Sequence, residues 1–415
     1  MNGQQLYGLS RLSTTLKMGR HPGLKGLSLK HKLALNHVFV QSKLTRLDGR
    51  VYSNTFTPFY PSVAYDRFVQ GLRSLMRGVP CPVVTNFAVT ARCPCNCWHC
   101  SFADRSLKDR LTLDVIKDAI ARVQELGAAV IGLTGGEPLL RKDLEDIIAA
   151  IDQRSMPLLF TTGFELTRQR VKDLKAAGLG IPVISLDHYD PAVHDRGRNR
   201  PGMHATALRA IDLFQKEGFY VAVSFVPDRD LMDNRDEVFK VIEFFKSLGI
   251  NDMRLTSPIL AGKLTAHPER LLSEKNVRTI YEIQRFCTKT PGYPGVFAYD
   301  YFESKDFYGC GAGYNYMFID SQGNVCPCDF TMLSLGNILE RPLSDIWQET
   351  GRTFSRPGCV CYANRVAARI REKNPAVFPL NRQDSLDILN ACPPDDGEKL
   401  PWLYQKLWRT PPRRH

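Results

Sequence analysis

Four cysteines fall within eight positions in the stretch TARCPCNCWHCSF: Cys93, Cys95, Cys97 and Cys100. Thiolates this close on one loop can meet at a soft metal centre, either a zinc ion or an iron–sulfur cluster. A structural zinc site would use all four, but the usual zinc arrangement pairs CxxC knuckles across a longer loop, and this is one compact run. A second cysteine-bearing region begins at Cys310 and contains Cys326 and Cys328, with Cys359 and Cys361 following as CVC. The phrase IDSQGNV predicts a hairpin whose SQG turn returns Cys328 alongside Cys310. Cys81, Cys287 and Cys392 stand alone and read as ordinary thiols.

Such residues need a scaffold that brings distant loops to one edge, and residues 82 to about 258 provide it. The runs PVVTNFAVT, AAVIGLT, PLLFTTG, IPVISLD, FYVAVSFV and MRLTSPI read as six strands. Five helical patterns alternate with them; the first, LTLDVIKDAIARVQELG, has apolar residues at 113, 116, 120 and 123 and a stop at Gly127. Apolar strands separated by amphipathic helices predict an α/β fold with a parallel sheet, either open and doubly wound or a full or partial barrel. In each case the site lies at the C-terminal ends of the strands. The cysteine run follows the first strand and TGGEP, Thr134 to Pro138, follows the second, so both reach that edge.

At Cys93, Cys97 and Cys100, which form CxxxCxxC after the first strand, the sequence resembles the radical SAM superfamily. The resemblance implies a partial (β/α)6 TIM-like barrel whose three cysteines hold a [4Fe-4S] cluster with one open iron, chelated by S-adenosylmethionine. Cys95 is then the bystander. It also implies that Gly135, Gly136, Glu137 and Pro138 receive the methionyl amino group. Thr162 in TTG, with Ser185 and Asp187 in SLD, would face the ribose and carboxylate. The loop HDRGRNRPG would put Arg198 near the carboxylate, LAGK would line adenine, and His99, at a position often aromatic, would pack on adenine. Cys310, Gly323, Cys328 and the phrase PC..GN.....L..IW resemble the SPASM or twitch auxiliary domain, implying one auxiliary [4Fe-4S] cluster on Cys310, Cys328, Cys359 and Cys361. A full SPASM domain carries more cysteines, and zinc is the alternative at this second site. Cys326 is set aside as a ligand.

The implied organisation is a basic N-terminal extension (1–81), the core barrel (82–262), a connecting segment with a helix (263–309), the auxiliary domain (310–361) and a C-terminal tail (362–415). The implied activity is reductive cleavage of S-adenosylmethionine to a 5′-deoxyadenosyl radical that abstracts hydrogen from a substrate, with a flavodoxin or ferredoxin as electron donor. The alternatives are a peptide- or protein-modifying maturase and a non-catalytic iron–sulfur or zinc module. The first eighty residues do not show the three-strand, three-helix rhythm expected of a leader-peptide-binding domain, which counts against a peptide substrate.

Charge bears on the partner. The formal net charge is +12, and the first fifty residues hold nine Lys or Arg against the single acid Asp48. The last fifteen add Lys406, Arg409, Arg413 and Arg414 among Trp402, Tyr404 and Trp408. Basic, partly apolar ends suit a lipid or membrane surface; no basic–aromatic RNA motif is found beyond the tail, which argues against nucleic acid. The start of the chain lacks the apolar core of a signal peptide and no run is long enough to span a membrane, so a cytoplasmic protein with reduced thiols, peripheral at most to a membrane, is expected.

Overall fold

In the computed structural model, residues 3–102, 108–375, 377–395, 397 and 399–408 are described. Seven parallel strands follow one another around the sheet: β1 (Val84–Thr90), β2 (Val130–Gly135), β3 (Met156–Thr161), β4 (Ile181–Ser185), β5 (Ala222–Phe225), β6 (Asp252–Leu255) and β7 (Gly295–Ala298). The six expected strands are all present, and the segment expected only to connect, 263–309, adds β7 beside β6. The hairpin of the C-terminal region joins the other edge: β8 (Tyr316–Ile319) pairs in parallel with β1, and β9 (Asn324–Cys326) and β10 (Gly336–Asn337) continue antiparallel. β7 and β10 remain unpaired edges, so the ten-stranded sheet stays open, as a partial barrel.

Helices cover the outside. The helix Leu113–Leu126 starts at the Thr112 cap, buries Ile116, Ile120 and Val123, and ends where Gly127 turns left-handed at φ +117. Leu144, Ile147 and Ile148 of the next helix also lie in the core.

The N-terminal extension has regular structure of its own. Short strands Gln4–Gln5, Thr45–Leu47 and Arg50–Tyr52 form a separate antiparallel sheet, with helices Gly8–Gly19, Leu29–Phe39 and Val63–Met76 around it. This three-strand, three-helix unit corrects the expectation that such a composition is missing; strands of two or three residues are too short to show an alternating pattern. The unit packs against the end of the barrel where the strands begin. Tyr52 stacks on Tyr220 with centroids 4.3 Å apart, and the Lys43 ammonium, 1% exposed as a residue, donates to the carbonyls of Thr290 and Tyr293 at 2.8 Å each. Lys43 is therefore a buried fastener, not part of a solvated basic arm. The C-terminal aromatics are also internal: Leu403, Tyr404, Leu407 and Trp408 join a core cluster, and Trp408 donates to the Leu75 carbonyl at 3.2 Å. Arg409, Arg413 and Arg414 lie outside the described residues.

Asp252, the first residue of β6, is fully buried beneath this unit. Its Oδ2 accepts from Thr55 at 2.8 Å, but its Oδ1 has no hydrogen-bond partner among the described residues, and burial pushes the carboxyl up to about 6. A folded-state pKa above the unfolded value means that the folded protein holds the proton more tightly. Stability from this group is present at low pH and is lost as pH rises from about 4 through about 6. Asp252→Asn should flatten that slope and gain about 1–3 kcal/mol on the parent at pH 8. Parallel melting curves of parent and variant from pH 5 to pH 8 would refute this.

Candidate active site

The residues singled out from sequence come together at the C-terminal ends of β1 to β6, around a cavity with about 1050 Å³ of non-atom space, part of it open to solvent. Cys93, Cys97 and Cys100 line it, and Cys95 does not. Cys95 is buried behind them, packed with Cys97 and Met203. Its thiol bonds to Cys93 and Cys97, so its own ionisation is pushed strongly upward. The same contact, with the nearby charges of Arg198 and His99, pulls the Cys97 thiol down against the effect of burial.

The cysteine loop has almost no regular structure of its own, and later segments pin it. Gly136 and Glu137 donate their backbone N–H groups to the carbonyls of Thr90 and Arg92, both at 2.7 Å. A Cβ on Gly135 would fall 2.3 Å from the Thr90 oxygen and one on Gly136 2.1 Å from the Arg92 oxygen, so two glycines are required where this turn meets the root of the loop. Asn96 and Trp98 donate to the carbonyls of Arg198 and Gly197 at 3.0 and 3.2 Å. The LAGK segment, expected at adenine, also touches the cysteine loop: Lys263 donates its backbone N–H to the Cys100 carbonyl and its ammonium to the Cys97 carbonyl, both at 3.1 Å. Asp109 ties the root of the loop through Thr90 Oγ1 and the Ala91 N–H, both at 2.6 Å.

Of the expected cofactor contacts, His99, Gly135, Gly136, Glu137, Thr162, Ser185 and Arg198 line the cavity, whereas Pro138 and Asp187 stand behind the lining. Glu137 is wholly buried, and each carboxylate oxygen accepts two hydrogen bonds. Oε1 takes Leu139 N–H at 3.1 Å and Thr161 Oγ1 at 2.5 Å; Oε2 takes Thr162 N–H at 2.7 Å and Thr162 Oγ1 at 2.5 Å. Burial raises its pKa, and these four donors oppose the rise. Glu137 thus clamps the GGE turn to the TTG end of β3. Asp187 has a similar supporting place. Burial alone would raise its carboxyl, but Arg198, whose Nη2 lies 2.5 Å from Oδ2, holds it well below the usual range. The Arg198 Nη1 in turn lies 3.7 Å from the Cys97 sulfur.

Two charged residues that line the cavity were not foreseen: Arg254 of β6 and Asp329, which follows Cys328. Arg254 is 7% exposed, donates Nε and Nη2 to the Tyr299 hydroxyl at 3.0 and 2.7 Å, and has no carboxylate within 4 Å among the described residues. The signal in the sequence was a charged side chain, Arg254, set between Met253 and Leu255 in a stretch expected as a strand.

In the C-terminal region Cys310, Cys328 and Cys361 lie close enough that burial and their mutual charge raise the Cys328 and Cys361 thiols. Cys361 caps the helix Tyr362–Glu372. Cys359 lines one pocket with Cys310, and its sulfur lies 2.7 Å from the Lys399 carbonyl oxygen. Cys326 packs with Ala88 and Phe318, away from those thiols. Among the described residues no three His, Cys, Asp or Glu side chains converge on a point that would hold one metal ion.

A family model of the radical SAM superfamily matches residues 87–245, and one of an iron–sulfur cluster-binding domain, SPASM, matches 310–369. The chain is a radical SAM protein with a C-terminal SPASM domain. Curated relatives include the AdoMet-dependent heme synthases of Methanosarcina barkeri, 28% identical over 64% of this chain and 82% of the relative, and Nitratidesulfovibrio vulgaris, 24% identical over 68% and 82%. Among solved structures, Streptococcus suis SuiB bound to S-adenosylmethionine is 16% identical, with a TM-score of 0.57 over 74% of this chain and 78% of that one. Native anSMEcpe with bound AdoMet is 16% identical, with a TM-score of 0.52 over 78% and 95%. These two share the fold. This radical SAM and SPASM pairing carries a SAM-binding [4Fe-4S] cluster, an auxiliary cluster and S-adenosylmethionine. The donor set fits: three thiols line one cavity, and the Arg198 Nε and His99 Nε2 beside them are buried without a hydrogen-bond partner among the described residues.

Two outcomes follow from this geometry. Cys95→Ala should keep iron content and S-adenosylmethionine cleavage, whereas Cys93→Ala should lose both; iron and sulfide analysis after anaerobic reconstitution decides, and an iron-free Cys95→Ala protein would mean that all four thiols are ligands. Glu137→Gln turns one acceptor into a donor facing other donors and should cost about 1–3 kcal/mol of stability, read as a lowered denaturation midpoint.

Proposed function

We propose that the chain is a cytoplasmic radical SAM oxidoreductase acting on a carboxylate-bearing substrate, of the tetrapyrrole class suggested by its heme-synthase relatives, with a flavodoxin or ferredoxin as electron donor. The observation that carries this reading is that one cavity is lined by three thiols, the GGE turn and Arg198 and also by the buried guanidinium of Arg254. When bound, the cluster and S-adenosylmethionine together supply a 5′-deoxyadenosyl radical that removes a hydrogen atom from the substrate.

The protein's own part is to bind and to exclude water. Cys93, Cys97 and Cys100 would hold the cluster, with Cys310, Cys328 and Cys361 holding the auxiliary one, and Cys359 the weakest member of the expected set. Gly135, Gly136, Thr162, Ser185 and His99 would contact S-adenosylmethionine, Arg198 would face its carboxylate, and Glu137 and Asp187 would position those groups through the turn and through Arg198. Arg254, held by Tyr299, would bind a substrate carboxylate through the charge-assisted pairing that guanidinium favours. Such a pose would bring one C–H bond within reach of the radical and fix its orientation.

A peptide substrate is the second reading, favoured by the three strands and three helices of the first eighty residues. With dithionite, the reconstituted protein should release 5′-deoxyadenosine from S-adenosylmethionine. Arg254→Met should retain that substrate-free release within about twofold, because it touches neither thiols nor Arg198, yet bind a propionate-bearing porphyrin at least about tenfold more weakly by Soret titration. Equal porphyrin affinity in parent and variant would remove Arg254 from substrate recognition.

A further inference from the structure

The helix Gly8–Gly19 buries Thr14 and Met18, while Leu9, Leu12 and Leu16, spaced three and four residues apart, are 84%, 55% and 51% exposed. The helix Leu29–Phe39 buries Ala34 and Leu35, while Leu29 and Leu33 are 73% and 60% exposed. Each helix therefore turns an apolar stripe away from its own packing contacts. The two are neighbours: Thr15 and Met18 of the first and Leu35 and Phe39 of the second line one cleft. Lys17, Arg20, Lys25, Lys30 and Lys32 stand exposed on or between them, in a region whose only acid among the first fifty residues is Asp48.

Single exposed leucines are ordinary on a protein surface. Five on two neighbouring helices, interspersed with exposed cations, leave more apolar surface in water than scattered single leucines do. Residues exposed to this degree protrude, and a protruding stripe enters a partner, whereas a groove receives one. Apolar side chains projecting among lysines match a bilayer interface, where leucines reach the acyl boundary and ammonium groups meet headgroup phosphates. We infer that this face docks the protein on an anionic lipid bilayer. The inference is independent of the substrate reading, because docking is measured without S-adenosylmethionine.

The test is flotation of the full-length protein with vesicles of phosphatidylcholine alone or with added phosphatidylglycerol. The parent should float with the anionic vesicles and not the neutral ones. Lys17→Ser, Lys30→Ser and Lys32→Ser together should weaken binding by about two orders of magnitude, at about fivefold per charge. Leu9→Gln, Leu12→Gln and Leu16→Gln together should weaken it by about tenfold or more with an unchanged melting temperature, since these side chains are exposed. Failure of the parent to float with anionic vesicles overturns the inference. So does a leucine variant that floats like the parent, whether or not it disperses an oligomer in size-exclusion chromatography; an effect on the oligomer alone would assign the face to protein contacts.

Discussion

The cysteine loop is a stretch of chain with little hydrogen bonding of its own, held in shape by backbone groups from segments far along the sequence. The GGE turn holds its root, the segment around Gly197 and Arg198 holds its middle, and Lys263 holds its end. A loop that must present three thiols to a cavity cannot also spend its backbone groups on a helix or strand. Buried amides and carbonyls still need partners, so the partners come from outside. The motifs at the other strand ends therefore build the loop as well as meeting a ligand. Gly135 and Gly136 are glycines because any Cβ there would strike the Thr90 and Arg92 oxygens.

The same economy explains which acids reach the cavity. Glu137 fills both oxygens with donors from β3 and its own turn, and Asp187 is held by Arg198. Two carboxylates near the thiols are thereby committed to holding neighbouring groups in place. Asp329 lines the cavity and Glu303 does not; burial raises both carboxyls, Glu303 to about 8 with the charge of Asp329 adding to the rise. Arg254 stands near Asp329 as a fixed cation, so the cavity presents a guanidinium as well as the three thiols.

The sequence made the core strands, the helix faces and the cavity-lining thiols legible because each rests on a local signal: an apolar run, a helical period, a spacing. Gly127 ended its helix where the pattern did. What escaped rests on distant contacts. β7 is four residues long, and the strands around Lys43 are shorter still, so no alternation accumulates. Lys43 and Trp408 looked like surface groups until their partners, the Thr290 and Tyr293 carbonyls and the Leu75 carbonyl, were in place. Arg254 was visible as an oddity in its strand, but only the cavity showed what it faces.

The parallel pairing of β8 with β1, Tyr316 opposite Val84 through Ile319 opposite Phe87, makes the C-terminal hairpin a continuation of the barrel wall. Cys93 leaves one strand of that ladder and Cys328 follows the hairpin built on its neighbour, with Asp329 already at the cavity. The ladder between β8 and β1 therefore joins the root of the Cys93 loop directly to the hairpin that Cys328 follows. Electron tunnelling slows exponentially with distance, so clusters held through Cys93 and Cys328 would have their hopping time set when the sheet forms. An electron leaving the substrate would cross a gap that thermal motion of a linked domain cannot stretch.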